Sequence, residues 1–151
     1  MKLSQHLDLS EVTRSESAKR NGISNMPTKE HIANFMLLAE KIFEPIREHF
    51  GVPIRISSGY RSKELNEKIG GSSTSQHSSG EALDIDMDGT SISNKQIFDY
   101  IKDNLEFDQL INEFNYSWVH VSYKSTGKQR KQILEAYKDG GASKYKPYEK
   151  T

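Results

Sequence analysis

Two histidines and one aspartate are the residues whose types and spacing in this sequence suit metal chemistry. His77 lies in the serine- and glycine-rich stretch 57–86, and Asp84 follows it seven residues later. His120 lies further along the chain, in the run SWVHVSY. Two neutral imidazoles and one carboxylate form a three-ligand set that suits a zinc ion whose fourth position stays open. The sequence therefore predicts a site for one zinc ion at these three residues.

The composition narrows the kinds of site that this chain can hold. It contains no cysteine, which excludes disulfide bonds and every thiolate metal site. Structural zinc sites usually depend on cysteine, so its absence favours a catalytic site. The 21 lysine and arginine residues balance 21 aspartate and glutamate residues, so no net field attracts a polyanion. We therefore expect a partner other than nucleic acid or an anionic membrane surface.

Length and patterning predict one soluble domain over residues 1–151, acting as a monomer. No stretch approaches the roughly 20 apolar residues of a membrane span, which predicts no membrane insertion. The first residues lack the apolar run of a secretory signal, so we expect synthesis in the cytoplasm without a signal peptide. The terminal part, 127–151, is predicted to form a helix over 128–138 followed by a basic tail.

A long core helix and a polar loop are expected next to the strands that carry the site. Apolar residues recur every three or four positions over 28–51, which predicts a helix. Pro45 lies inside this pattern without a backbone donor, so we expect a kink or break just before it. The loop 70–80 is rich in serine and glycine, shows no pattern of regular structure and carries His77.

Two alternating runs predict the strands that hold the other two candidate ligands. In EALDIDM, at 81–87, the alternation places Leu83 and Ile85 in the core and Asp84 on the opposite face. In SWVHVSY the valines face the core, so His120 faces the other way. The run FDQLINEF precedes the second strand, and the two together predict a hairpin.

A zinc hydrolase also needs a general base that takes a proton from the attacking water and later returns it. If the hairpin turns through Asn115 and Tyr116, Glu113 pairs with Trp118 and shares the face of His120, about 7–8 Å away on the diagonal. An odd-length loop would turn Glu113 to the other side. The sequence thus predicts Glu113 as the base. Two other carboxylates remain alternatives for this role: Asp86 and Asp108.

Several polar and aromatic residues near these strands are candidates for binding a substrate. Arg61 follows a predicted strand, where its guanidinium could clamp a carboxylate, steady an oxyanion or brace the glycine-serine loop. Ser75 and Gln76 precede His77 and either orient it or bind substrate. Two aromatic residues are predicted to wall the cleft: Tyr60 and Trp118.

The run SGYRSKELNEKIGGSSTSQHSSGEALDID, followed by WVHVSY, resembles the M15 peptidases, the zinc D-alanyl-D-alanine carboxypeptidase family. The motif of serine, any residue and histidine, then six residues and aspartate, stands here as Ser75–Gln76–His77 through Asp84. Within that family the chain is similar to the small phage and bacterial branch in which QLIxE precedes WVHVS. The resemblance covers about residues 10–123, which it marks as a catalytic core.

The resemblance implies an α+β fold of the hedgehog/DD-peptidase kind, with a central antiparallel sheet flanked by helices. It also implies zinc bound by His77, Asp84 and His120, and hydrolysis of peptide bonds in peptidoglycan stem peptides, with Arg61 contacting substrate. Many members carry the catalytic acid three residues before the last histidine, where this chain has Ser117. The QLINE motif offers Glu113 instead.

Two functions follow as expectations. The first is a zinc peptidase of the bacterial cell wall, either a carboxypeptidase or a phage endolysin-type endopeptidase, which reaches the wall only after release or export. Because the related hedgehog signalling domains hold similar zinc ligands yet serve in signalling, the second is a non-catalytic, zinc-stabilised module that binds the cell wall or belongs to a phage particle.

Overall fold

The computed structural model describes residues 1–72 and 75–149, and its centre is a six-stranded sheet. The strands are β1 (Ile56–Ser58), β2 (Ala82–Ile85), β3 (Gln109–Glu113), β4 (Trp118–Ser122), β5 (Gln132–Asp139) and β6 (Ala142–Pro147). Their order across the sheet is β1–β2–β4–β3–β5–β6. Neighbouring strands are antiparallel except β3 and β5, which are parallel. The α+β class is confirmed, but the sheet is mixed rather than antiparallel, because the chain after β4 returns to pair with the far edge of β3.

Helices precede and separate the strands. They are α1 (Leu9–Thr13), α2 (Glu16–Asn21), α3 (Lys29–Leu38), α4 (Glu44–Phe50), α5 (Lys63–Lys68) and α6 (Asn94–Asn104). Side-chain oxygens cap several of them, as at Ser62 before α5 and Ser93 before α6, where they satisfy otherwise unpaired backbone donors. None of the helices in the described part of the chain is long and apolar enough to cross a membrane.

The predicted core helix is continuous from Thr28, which caps α3, to Gly51, which ends α4. Between α3 and α4, Ala39–Phe43 forms a π-helical segment, in which Glu44 N–H donates to the carbonyl of Ala39. Pro45 follows in the first turn of α4, where a missing N–H is tolerated. The irregularity predicted before the proline is therefore present as a widened turn.

A hydrophobic core fills the space between the helices and one face of the sheet. The alternation predicted for β2 and β4 is confirmed, because Leu83, Ile85, Val119 and Val121 are all fully buried in it. Burying each such side chain contributes roughly 1.5–3 kcal/mol, so this packing fixes which face of each strand points away from the core.

The C-terminal helix predicted over 128–138 is wrong, and part of the predicted basic tail is a strand. Ile133, Leu134 and Tyr137 have a spacing that fits one helix face, but this segment forms β5 and pairs with the edge of β3. Gly140 and Gly141, both at positive φ, form the turn into β6 instead of ending a helix. The physical reason is that β3 has a free edge with unpaired backbone groups. The segment pairs with this edge over five residue pairs as β5.

Candidate metal centre

The structure brings His77, Asp84 and His120 together at the bottom of a cleft. Asp84 and His120 are direct partners in the β2–β4 register. The Oδ1 atom of Asp84 lies 3.2 Å from Nε2 of His77 and 3.0 Å from Nδ1 of His120. All three side chains are buried, and one potential ligand atom from each lies within 4.8 Å of the others. The group has the donor types and spacing to bind a metal ion.

His77 is held by its own turn and by the loop after β1. Gln76–Ser79 forms a 3₁₀ helix, so the loop predicted to be irregular contains a regular turn, whose cap is the Ser75 hydroxyl accepting from His77 N–H at 3.3 Å. The ring Nδ1–H donates to the carbonyl of Gly59 at 2.7 Å. This bond leaves Nε2 of His77, which faces Asp84, as the ring nitrogen that a metal would use.

Gly59 is required by the packing behind His77. A Cβ atom at this position would lie 2.6 Å from the backbone of Val12 in α1, closer than real contacts allow. The same loop is joined to α1 by Tyr60 N–H, which donates to the carbonyl of Val12 at 2.6 Å. The carbonyl that orients His77 is thus fixed by the N-terminal helix.

His120 is oriented by an amide on the opposite side of its ring. Its Nε2 lies 3.0 Å from Oε1 of Gln76, which accepts a hydrogen from it, and its Nδ1 lies 3.0 Å from Oδ1 of Asp84. The sequence predicts that Gln76 orients His77 or binds substrate; the structure places its amide against His120 instead. Each imidazole therefore has one nitrogen held by an acceptor outside the ligand group and the other nitrogen facing Asp84, where a metal would bind.

Asp84 stays ionised in this buried position. Burial by itself would raise the pKa of its carboxyl, but His77 and His120 beside it outweigh that effect and lower the pKa below its usual range. One Nη atom of Arg61 lies 3.8 Å from Oδ2 of Asp84 and adds a positive charge on the other side. An ionised carboxylate is the form that binds a metal ion.

Glu113 lies on the same cleft as these three residues. It pairs with Trp118 in the β3–β4 register, which confirms the predicted parity and places it on the face of His120. The connecting loop, 114–117, has an even length, and Tyr116 N–H donates to the Asn112 side chain at 2.6 Å to hold it. The side chain of Glu113 is directed to the cleft rather than the core.

The carboxyl of Glu113 has an unusual protonation equilibrium. Burial is the main cause that raises its pKa to about 7, and the nearby charge of Asp84 acts in the same direction. The electrostatic effects of His120 and Arg61 act in the opposite direction and counteract part of this rise in the pKa. Among the described residues, no side chain donates a hydrogen bond to this carboxylate. Its acceptor capacity therefore remains available to a molecule in the cleft.

The two alternative carboxylates lie in other environments. Asp108 is 1% exposed and pairs with Arg130, whose hydrogen bonds outweigh burial and lower the pKa of its carboxyl. Asp86 accepts from Asn94 and lies outside the cleft lining. Glu113 is thus the one of the three predicted carboxylates that is both in the cleft and unpaired in the described chain.

The cleft has a volume of about 900 Å³. Arg61, Ser75 and Trp118 line it, and their contacts with a substrate remain predictions. Tyr60 does not: it is 6% exposed, packs in the core and lies 3.2 Å from His31 through its hydroxyl, because its loop is drawn against α1. Tyr60 is therefore a packing residue rather than a wall of the cleft.

One wall of the cleft was missed from the sequence because it belongs to β5 and β6. Leu134, Lys138, Ser143 and Tyr145 line it. In the sheet register Glu113 lies beside Ala136, and Ala136 beside Tyr145, so a small residue separates the carboxylate from the phenol. The signal was present in the sequence, since two strand-like runs separated by Gly-Gly are typical of a hairpin.

Comparison with known proteins assigns the chain to a family. A family model described as Peptidase M15 matches residues 5–122, which include His77, Asp84, Glu113 and His120. No curated protein matches the chain. The match spans most of the sequence and ends at the last residue of β4, so β5 and β6 lie beyond it. On the strength of this match, the chain belongs to the peptidase M15 family.

Proposed function

We propose that this protein is a zinc-dependent peptidase that hydrolyses peptide bonds in peptidoglycan stem peptides. The observation that carries the proposal is Glu113, a buried carboxylate that faces the same cleft as His77, Asp84 and His120 and has no partner among residues 1–72 and 75–149. Membership of a peptidase family supports the type of reaction. The resemblance of the SxH and WVHVS motifs to D-alanyl-D-alanine carboxypeptidases supports the substrate class.

The donor set fits zinc. Two neutral imidazole nitrogens and one carboxylate oxygen, each oriented by the surrounding protein, are typical ligands of a catalytic zinc ion. A zinc ion bound there supplies Lewis-acid polarisation of the scissile carbonyl and acidification of water at neutral pH. The remaining roles belong to side chains of the chain itself.

Glu113 acts as the general base and then as the general acid. It accepts a proton from the water that attacks the scissile carbonyl carbon, and it gives this proton to the leaving amine nitrogen as the C–N bond breaks. A carboxylate whose pKa lies at about 7 suits both directions of transfer near neutral pH. The absence of a competing hydrogen-bond donor in the described chain leaves the carboxylate free for water.

Arg61 and the cleft walls hold the peptide. The guanidinium of Arg61 is partly exposed to the cleft and pairs with a carboxylate of the substrate through charge-assisted hydrogen bonds. Trp118 on β4 and Tyr145 on β6 provide aromatic surface in the lining of the cleft. The proposed working form is a monomer that acts on the cell wall after release or export.

The proposal is tested on purified peptidoglycan with zinc-loaded wild type, Glu113→Gln and Glu106→Gln. Glu106 is 70% exposed in its side chain and serves as a matched control. Mass spectrometry of the soluble products is expected to show D-alanine or stem fragments for the wild type and the control. Glu113→Gln should retain zinc and lose roughly 10²–10⁴-fold in rate, the usual contribution of a general base.

Two results would contradict the proposal in different ways. A wild type that releases no product but sediments with peptidoglycan would be a non-catalytic wall-binding module. A Glu113→Gln variant with bound zinc and full activity would exclude Glu113 as the base. The identity of the released fragment distinguishes a carboxypeptidase from an endopeptidase.

A further inference from the structure

Asp108 is a buried carboxylate that the proposed reaction does not use. It directly precedes β3 and is 1% exposed. Arg130 binds it with both ends of its guanidinium, Nε to Oδ1 at 3.0 Å and Nη to Oδ2 at 2.8 Å, and with its backbone N–H at 3.1 Å. Such a bidentate pair fixes the position of the carboxylate and keeps it charged.

Gln76 connects this ion pair to the candidate metal ligand His120. Its Nε2 donates to Oδ2 of Asp108 at 3.3 Å, while its Oε1 lies 3.0 Å from Nε2 of His120. An ionised carboxylate can only accept hydrogen bonds, so the NH₂ end of the amide must face Asp108. The oxygen end must then face the imidazole, which requires a hydrogen on Nε2 of His120.

We propose that Arg130, Asp108 and Gln76 are positioning residues that fix the ring tautomer of His120 for metal binding. The inference rests on the proposed metal site. It extends that site beyond the match to the peptidase family, because Arg130 follows residue 122 and belongs to the segment that leads into β5. The C-terminal part of the chain thus contributes to the metal centre through two intermediates.

A purely structural ion pair would have a different signature. It would add to the stability of the folded chain without affecting which nitrogen of His120 carries hydrogen. Loss of the residue that hydrogen-bonds the other ring nitrogen of a metal-bound histidine typically lowers metal affinity by about 10–100-fold. Metal affinity and ring tautomer therefore separate positioning from simple stabilisation.

The test uses Gln76→Leu, which removes the acceptor, and Arg130→Gln, which removes the charge that holds Asp108. About half of the Arg130 side chain is exposed, so its replacement leaves no cavity in the core, and the melting temperature of the variant measures the cost of leaving Asp108 without its cation. Lys128→Gln is the matched control, because Lys128 is exposed on the same connection and, within the described residues, forms no hydrogen bond or ion pair with the network. Arg130→Lys keeps the positive charge and should recover part of the zinc affinity that Arg130→Gln loses.

Zinc affinity is measured by competition with a chromophoric chelator. We expect a loss of about 10–100-fold for Gln76→Leu, a smaller loss for Arg130→Gln and none for Lys128→Gln. In the metal-free protein, ¹⁵N NMR of the ring nitrogens should show a hydrogen on Nε2 of His120 in the wild type. In Gln76→Leu this hydrogen should be partly lost, because the carboxylate of Asp84, 3.0 Å from Nδ1, still favours a hydrogen on Nδ1.

Wild-type tautomer and wild-type zinc affinity in both Gln76→Leu and Arg130→Gln would overturn the inference, whatever the change in melting temperature. A wild type that binds no zinc would instead reject the metal-dependent function. The ring tautomer, measured without metal, would still decide whether these residues position His120.

Discussion

The two walls of the cleft are built in different ways. Every residue of β2 is buried, and β4 is buried from Val119 to Ser122, whereas every residue of β6 is exposed. The candidate ligands thus lie on strands that are covered by packing and neighbouring strands. The wall made by β5 and β6 is held mainly by its pairing with the edge of β3.

The two walls meet different requirements, because one holds the candidate metal ligands and the other contacts the substrate. Metal ligands must be held close to one geometry, which requires surroundings that determine each side chain from several directions. A wall that contacts a peptide tolerates more local motion, and segments with few buried contacts open more readily than the core. The comparison predicts that changes in β2 affect metal binding, while changes at the hairpin turn affect substrate binding first.

The largest effect is expected from Asp84→Ala. It removes the one carboxylate among the candidate ligands, so zinc affinity should fall by more than the roughly 10–100-fold that an outer partner contributes. Hydrolysis should fall to background. Asp86→Ala, two residues further along the chain and outside the cleft, should keep zinc affinity within about twofold, because its carboxylate accepts from Asn94 and from the backbone of Asp88 rather than from a residue of the metal centre. Equal losses in both variants would show that the strand, not the ligand, had been damaged.

A moderate effect is expected on the stability of the metal-free protein when Glu113 becomes glutamine. The folded-state pKa of Glu113 is about 7 against an ordinary 4.5, so folding favours the protonated form. The contribution of protonated Glu113 to the free energy of unfolding is fully present below about pH 4.5 and is lost as the pH rises towards 7. With allowance for solvent in the cleft, the loss at pH 8 is about 1–2 kcal/mol.

Differential scanning fluorimetry checks this pH dependence. Glu113→Gln cannot ionise, so its melting temperature should exceed that of the wild type by roughly 3–6 °C at pH 8. At pH 4 the two proteins should melt at the same temperature. The same difference at both pH values would mean that a change in packing, rather than ionisation, causes it.

The smallest global effect is expected from Gly141→Val in the β5–β6 turn. Gly141 has a φ of 85°, and a Cβ atom added there would meet no other atom within 4 Å, so backbone strain of about 1–2 kcal/mol is the main cost. The strain should open the hairpin locally, speed amide hydrogen exchange in β6 and raise KM, while zinc affinity stays unchanged. Gly140→Asn is the control, because asparagine tolerates the φ of 58° at that position. A fall in zinc affinity would show that the two walls are coupled.

Short-range patterns were sufficient to predict the side of the cleft formed by β2 and β4, which carry two of the candidate ligands. The period of two along a strand, with valine, leucine and isoleucine marking the core face, placed Asp84 and His120 on the cleft face. An even-length loop then placed Glu113 beside them. These inferences work because side chains alternate along a strand. Once one face is buried, the position of each residue in the alternation decides the face on which it lies.

The rest depended on contacts between distant parts of the chain. Ile133 and Leu134 fit a helix face as well as a strand, and only the free edge of β3 decides between the two. The contact of Gln76 with His120 depends on the path of a loop, and Tyr60 was drawn into the core by α1. The Gly-Gly between two strand-like runs is typical of a hairpin, but no local pattern identifies the strand with which that hairpin pairs or the path of the loop.

The close approach of Gly59 to Val12 has a consequence for the order of folding. The carbonyl that orients His77 is in place only when α1 has docked, and the ligand set is complete only when β4 has paired with β2. Contacts between residues so far apart in sequence form late, because they close long loops. Metal capture is therefore expected to follow assembly of the region from residue 12 to residue 120, so that the rate of zinc uptake by a refolding chain reports the completion of its core.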